Sequence, residues 1–167
     1  KDLFSVDGKV AIVTGGSRGI GEMIAAGYLA NGAKVYISSR KADVCDATAK
    51  RLGEQFGGEC ISLPADMSNL AGIEAFAEEF KTRENHLDIL VNNAGVAWGA
   101  PLEDFPEMGW DKVMDTNVKG VFFLTQKLLP LLENKASHNT PTHVINVGSI
   151  DGIKTPVFDN FSYGPSK

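Results

Sequence analysis

Several protein classes are excluded by what this chain has little of. Its 167 residues hold two cysteines, Cys45 and Cys60, with no Cys-x-x-Cys spacing. That is too few for a disulfide framework, so reduced thiols in a cytosol-like compartment are expected. His86, His138 and His143 are scattered, with no i, i+4 partner and no nearby Cys cluster, and no metal site is expected. There is no basic block and the net charge is -5, which argues against nucleic acid as a main partner. No apolar run approaches the roughly 20 residues of a membrane span. The chain begins at Lys1 without Met, which leaves a removed leader open, although Lys1 to Gly8 has no signal-peptide character.

What is present reads as one globular domain with a real core, at 43% hydrophobic and 22% charged residues. Short apolar runs alternate with amphipathic segments, the pattern of βα units around a parallel sheet. The continuous run Lys9 to Val13 predicts a first strand covered on both faces. A helix is expected from about Gly19 to Leu29, stopped by Asn31-Gly32. Further strands are predicted over Lys34 to Ser38, Cys60 to Leu63, Leu87 to Val91 and His143 to Val147. Ala42 to about Phe56 reads as the second helix. Ser68 is the expected N-cap of a third helix through about Thr82, with Ile73, Phe76, Ala77 and Phe80 on one face. Pro106 opens a long helical stretch reaching Leu132. Asn134 to Thr142 is the expected mobile surface turn, and Ile150 to Lys167 a loop entering another helix.

Between the first strand and the first helix stands Thr14-Gly15-Gly16-Ser17-Arg18-Gly19-Ile20-Gly21. Gly15 permits a tight turn, Gly19 lets the backbone approach phosphates, and Gly21 allows close helix packing. The free N–H groups of the helix's first turn then face a pyrophosphate, as in a dinucleotide cradle. The end of the second strand carries Ser38-Ser39-Arg40-Lys41 and no acid. A carboxylate there would hold the ribose hydroxyls of NAD; Arg40, with Arg18, instead suits a 2′-phosphate and predicts NADP(H). The alternative for Arg40 is an ordinary exposed cation.

The spacing Gly15-x-x-x-Gly19-x-Gly21 after Thr14 resembles the short-chain dehydrogenase/reductase family. Asn92-Asn93-Ala94-Gly95, Ser149 and Tyr163-Gly164-Pro165-Ser166-Lys167 stand where that family places its other motifs. The resemblance covers essentially the whole chain and implies a Rossmann doubly wound parallel sheet with helices on both faces, here stopping after strand five. It implies a cofactor contact set of Gly15, Ser17, Arg18, Gly19, Ile20, Gly21, Ser39, Arg40, Asp66, Met67, Asn93, Ala94, Gly95, Tyr163 and Lys167. Within it Asp66 and Met67 border the adenine, though Asp66 equally reads as a helix-leading cap. Asn93 supports the sheet beneath the cofactor.

The catalytic set implied is Asn117, Ser149, Tyr163 and Lys167. Tyr163 and Lys167 are four apart, hence on one face of a helix, where the ammonium would lower the phenol's pKa and ready it for proton exchange. Ser149 would hold the substrate oxygen and Asn117 a relay water. Taken singly, Ser149 also reads as a strand-end turn residue and Asn117 as a helix kink. The reaction implied is reversible hydride transfer between nicotinamide and a carbonyl or alcohol carbon.

Val96 to Ala100 and Ile150 to Phe161 are expected on the substrate side, with Trp98 and Phe158 either lining it or covering the core edge. The Trp98-Gly99-Ala100 segment and the terminal motif resemble 3-oxoacyl-carrier-protein reductases, including the branch linked to rhamnolipid synthesis. That implies an acyl thioester or similar apolar ketone as substrate, in a cytoplasmic homo-oligomer. Family members run to about 250 residues. A chain stopping at Lys167 is therefore expected to be truncated, with its fifth strand left as a poorly covered edge. Two other readings stay open: a non-catalytic dinucleotide-binding fragment or subunit, and a scaffold that kept the fold without the chemistry.

Overall fold

The computed structural model describes residues 4–154 and 158–167. Thr155, Pro156 and Val157, inside the expected substrate-side loop, lie outside the described residues, as do Lys1, Asp2 and Leu3. Five parallel strands, β1 (Val10–Thr14), β2 (Lys34–Ser38), β3 (Cys60–Ser62), β4 (Ile89–Asn92) and β5 (His143–Asn146), form one sheet in the order β3-β2-β1-β4-β5. The helices are α1 (Gly19–Ala30), α2 (Ala42–Phe56), α3 (Leu70–Arg83), α4 (Glu107–Met114) and α5 (Gly120–Asn134).

All five residues of β1 are buried, and its four apolar ones alternate between two cores. Val10 and Ile12 join Ile73, Phe76, Phe80, Leu124 and Leu128 of α3 and α5. Ala11 and Val13 join Ala25 and Leu29 of α1 and Cys45, Ala49 and Leu52 of α2. A strand with four consecutive apolar residues, Val10 to Val13, therefore has helices on both faces, the doubly wound arrangement expected from its unbroken run. The four apolar positions assigned to one face of α3 are all buried.

Local chemistry moves several boundaries. The Asp88 carboxylate takes the Val10 N–H at 2.9 Å and faces Lys9 Nζ at 3.2 Å, a side chain standing in at the base of the ladder, and β4 begins at Ile89, two residues later than expected. Asn69, not Ser68, caps α3: its side chain accepts the Gly72 N–H at 2.8 Å. Ser68 is drawn off because its own N–H and hydroxyl both donate to Asp66 Oδ1, at 3.0 and 2.7 Å. Pro106 caps α4 as expected at the start of the long helical stretch, but that stretch is not uniform. Asp115–Lys119 winds as a π-helical turn between α4 and α5. The stretch after β5 forms two short 3₁₀ turns, Ile150–Gly152 and Gly164–Ser166, where a helix was expected to begin. Ser137 and Thr140 close the 134–142 segment by exchanging backbone hydrogen bonds, both 3.2 Å.

The chain reverses its winding at β1, whose neighbours are β2 on one side and β4 on the other. The crevice above the carboxyl ends of β1 and β4 is where such sheets bind ligands. On the outer edge β5 pairs with β4, and all four of its residues are exposed.

Candidate functional site

The turn after β1 is built by glycines that do different work. Gly15 and Gly19 have φ of +66° and +57°, a region that L side chains rarely adopt. Gly21 lies so close to the Gly15 carbonyl and the Asn93 amide that a methyl group has no room. Gly16, given no role from sequence, is equally constrained: a Cβ there would stand 2.8 Å from Ile37 Cβ. Its N–H reaches back to the Ser38 carbonyl at 3.1 Å, tying the turn to β2. Arg18, the N-cap of α1, is extended and gives no side-chain cap, so the first-turn N–H groups are left for an anion in the crevice.

The turn is also fastened to the end of β4. The buried Thr14 hydroxyl accepts the N–H groups of Asn93 and Ala94, both at 3.0 Å, and Asn93 Nδ2 donates to the Thr14 carbonyl at 2.9 Å. Asn93 thus fastens the joint between β1 and β4.

A cleft of about 780 Å³ opens above these strand ends. Gly15, Ser17, Arg18, Gly19, Ile20, Gly21, Ser39, Arg40, Asp66, Met67, Asn93, Ala94 and Gly95 all line it, so thirteen of the fifteen expected cofactor residues converge there. Val44, Val96 and Thr116 line it too and were not expected; a Val or Thr on an ordinary helix or loop carries no signal of its own. Arg18 and Arg40 are both exposed, and the stretch from Ser38 to Lys41 brings no acid to the cleft wall. Asp66 lines the cleft and accepts from Ser68, but it does not cap α3, whose cap is Asn69, so the helix-leading alternative weighed for it is not met.

Tyr163 and Lys167 are not among the residues lining that cleft. Lys167 stands at its margin, with its Nζ 3.1 Å from where a Cβ on Gly95 would lie. Its amine donates to the Val147 carbonyl at 2.9 Å and sits 5.9 Å from the centre of the Tyr163 ring. Burial holds the Lys167 ammonium below the ordinary lysine range, because the charged form is desolvated. Tyr163 leads the second 3₁₀ turn, so the pair is brought together by that turn and not by a full α-helical one.

Asn117, buried in the π-helical turn, joins three segments. Its Oδ1 accepts the Val96 N–H at 2.9 Å, and its Nδ2 donates to the Val96 carbonyl at 2.9 Å and to Ser166 Oγ at 2.8 Å. Ser166 in turn donates to the Tyr163 carbonyl at 2.7 Å. Asn117 thus sits at an irregularity in the long helical stretch, and π turns often mark functional positions. Ser149 Oγ accepts the Asp151 N–H at 3.2 Å, capping the first 3₁₀ turn. Trp98 packs on α4 where Gly109 leaves space, with Lys112 Nζ 5.3 Å from its ring centre.

A second cleft, also about 780 Å³, lies between β4, β5, the π turn, α5 and the terminal turn, and includes Asn117, Phe122, Val144, Ser166 and Lys167. Among the described residues no group of three or more His, Cys, Asp or Glu converges, and no helix is long and apolar enough to cross a membrane.

The chain is similar to known proteins over nearly its full length. The family model for short chain dehydrogenases matches residues 9–167. The rhamnolipids biosynthesis 3-oxoacyl-[acyl-carrier-protein] reductase of Pseudomonas aeruginosa is 51% identical over 164 residues, covering 98% of this chain. A solved RhlG/NADP active-site complex from Pseudomonas aeruginosa superposes with a TM-score of 0.94 at 49% identity, covering 99% of this chain and 64% of that one. A metagenomic short-chain oxidoreductase solved with NADP gives a TM-score of 0.86 at 36% identity, covering 98% of this chain and 72% of that one. The chain spans 63% of the length of the rhamnolipids biosynthesis reductase.

Proposed function

We propose that this chain, which belongs to the short chain dehydrogenase family, carries the cofactor cleft and proton-donating groups of an NADPH-dependent reductase that turns a ketone reversibly into a secondary alcohol. The observation that carries the reading is the single cleft in which the glycine turn, the Ser39-Arg40 corner, Asp66-Met67 and Asn93-Gly95 meet. Its size is that of a small-molecule site. Its features suit NADP(H): an uncapped helix start for the pyrophosphate, open space over Gly19 where the backbone must be approached, and two guanidinium groups with no opposing acid at the end of β2. The NADP named in the two related structures supports the same choice.

NADPH held by the glycine turn, Ser39-Arg40 and Asn93-Gly95 would supply a hydride for the carbonyl carbon. Tyr163 donates its phenolic proton to the carbonyl oxygen as the C–O π bond breaks, and Ser149 holds that oxygen by a hydrogen bond. Lys167 stabilises the phenolate left behind. Burial makes its ammonium a stronger acid than free lysine, which suits it to return a proton to Tyr163. Asn117 keeps the terminal turn in register through Val96 and Ser166, and the second lone pair of its Oδ1 serves a relay water.

For substrate we favour a 3-oxoacyl thioester, which the kinship with the rhamnolipids biosynthesis reductase supports. Exposed Trp110, Phe122 and Leu129 along α4 and α5 support a homo-oligomer, and two free cysteines support a cytoplasmic setting. The test is NADPH consumption against a panel of 3-oxoacyl thioesters, ketosteroids, sugars and quinones. Turnover of the thioesters is expected; activity confined to sugars or steroids overturns the substrate, and NADPH binding without turnover of any of them leaves the chain a non-catalytic dinucleotide-binding unit.

A further inference from the structure

The buried side of α2 consists of Cys45, Thr48, Ala49 and Leu52. Three of these belong to the apolar core between α2 and the sheet. A hydroxyl on such a surface costs free energy unless it is bonded. Thr48 Oγ1 is bonded, donating to the Ser17 carbonyl at 3.0 Å across 31 positions of sequence. Ser17 is itself buried and lies in the glycine turn, on the wall of the cleft.

The two halves of that turn are held differently. Its first half is fixed to the strands: Gly16 bonds to Ser38 and packs on Ile37, and Asn93 Nδ2 lies 3.4 Å from the Gly15 carbonyl. The second half, Ser17-Arg18, projects past the strand ends toward α2. There the Thr48 hydroxyl meets it. Cys45, three residues earlier and on the same side of α2, bonds through Sγ to the Ile37 carbonyl at 3.4 Å. The Arg51–Glu22 ion pair, 2.7 Å, links α2 to α1 on the far side of the turn.

The described peptide bonds are trans, so the Arg18 N–H points opposite to the Ser17 carbonyl. With the carbonyl turned to α2, that N–H is turned away from α2, and the direction in which Arg18 leaves the turn is set. We propose that Thr48 is a positioning residue for the dinucleotide: it orients the Ser17–Arg18 peptide and with it the Arg18 guanidinium that meets the 2′-phosphate. The proposal rests on the NADP(H) reading for its consequence, but not for the geometry.

Thr48→Val keeps the shape and removes the donor, while Thr48→Ser keeps the donor. Dissociation constants for NADPH and NADH are measured by fluorescence titration on the full chain. Amide hydrogen exchange over residues 15–20 is measured without cofactor. Thr48→Val is expected to weaken NADPH about 5- to 30-fold, the span of one to two hydrogen-bond-sized losses. NADH should weaken less, so the NADPH preference falls, and Thr48→Ser should restore both. Exchange in the turn should quicken in Thr48→Val before any dinucleotide is added. A merely structural Thr48 would instead lower thermal stability and weaken both dinucleotides alike, and that outcome overturns the proposal. Should the unaltered chain bind neither dinucleotide, the cofactor reading fails by itself, and unchanged exchange in Thr48→Val then overturns the positioning role separately.

Discussion

Thr14 and Asn93 hold each other from the ends of two neighbouring strands: the Asn93 N–H donates to the Thr14 hydroxyl at 3.0 Å, and the Asn93 side chain donates to the Thr14 carbonyl at 2.9 Å. The Thr14 hydroxyl also accepts from Ala94 and donates to the Val91 carbonyl at 3.3 Å, so one buried oxygen serves three backbone groups. Thr14→Val is nearly isosteric but leaves two N–H donors without that acceptor. Urea denaturation should show a loss of about 1–3 kcal/mol, with Thr14→Ser close to the parent protein. A Thr14→Val variant as stable as its parent would show that solvent replaces the hydroxyl.

Arg40 lies exposed on the wall of the glycine-turn cleft beside Ser39 and Lys41. If it pairs with the 2′-phosphate, Arg40→Ala should weaken NADPH by about ten- to a hundredfold, the worth of a hydrogen bond to a charged group. NADH, which has no phosphate there, should bind within about twofold of its original affinity. Equal losses for both would assign Arg40 to the general field of the cleft.

Tyr163→Phe removes the phenolic proton and leaves the ring that faces Lys167. Turnover of a ketone substrate should fall by about two to four orders of magnitude, the usual worth of a positioned general acid, with NADPH affinity held. Retained turnover would transfer proton donation to another group.

At the opposite end of the sheet, Glu84 binds Lys34 at 2.9 Å and accepts the Tyr36 hydroxyl at 2.7 Å. Burial pushes its carboxyl up, but hydrogen bonds from Lys34 and Tyr36 outweigh this and leave it below the ordinary glutamate range. The same contact, with burial first, pushes the Tyr36 phenol up to about 12. For Glu84 the unfolded chain takes up its proton first as pH falls. Its stabilisation is therefore complete above the ordinary glutamate pKa, about 4.3, and is lost as pH drops through the lower folded value. Unfolding free energies from pH 7 to pH 3 should fall less steeply for Glu84→Gln than for the parent. Parallel curves would remove Glu84 from the acid response.

The local rules were legible in the residues themselves. An unbroken Val10 to Val13 run requires cover on both faces, and Thr14 to Gly21 requires a tight turn opening a helix. Ser38 to Lys41 has no carboxylate to oppose a phosphate. Each depends on side-chain type and spacing along a few consecutive positions, which is information that a linear sequence contains. Asn69 displacing Ser68 as the cap of α3 was not legible, because both are good capping residues and the choice turns on where the Asp66 carboxylate lies.

What the tertiary structure decided is which distant groups share a bond. Gly16 needs its missing side chain because Ile37 is there, and the Thr48 hydroxyl finds the Ser17 carbonyl 31 positions away. Asn117 joins Val96 to Ser166 across a π turn that no periodicity announced. A hydrogen bond is satisfied by distance and angle, whatever the separation along the chain. Spacing along the chain placed the strands and the glycine turn, and packing alone selected the partners that hold that turn in place.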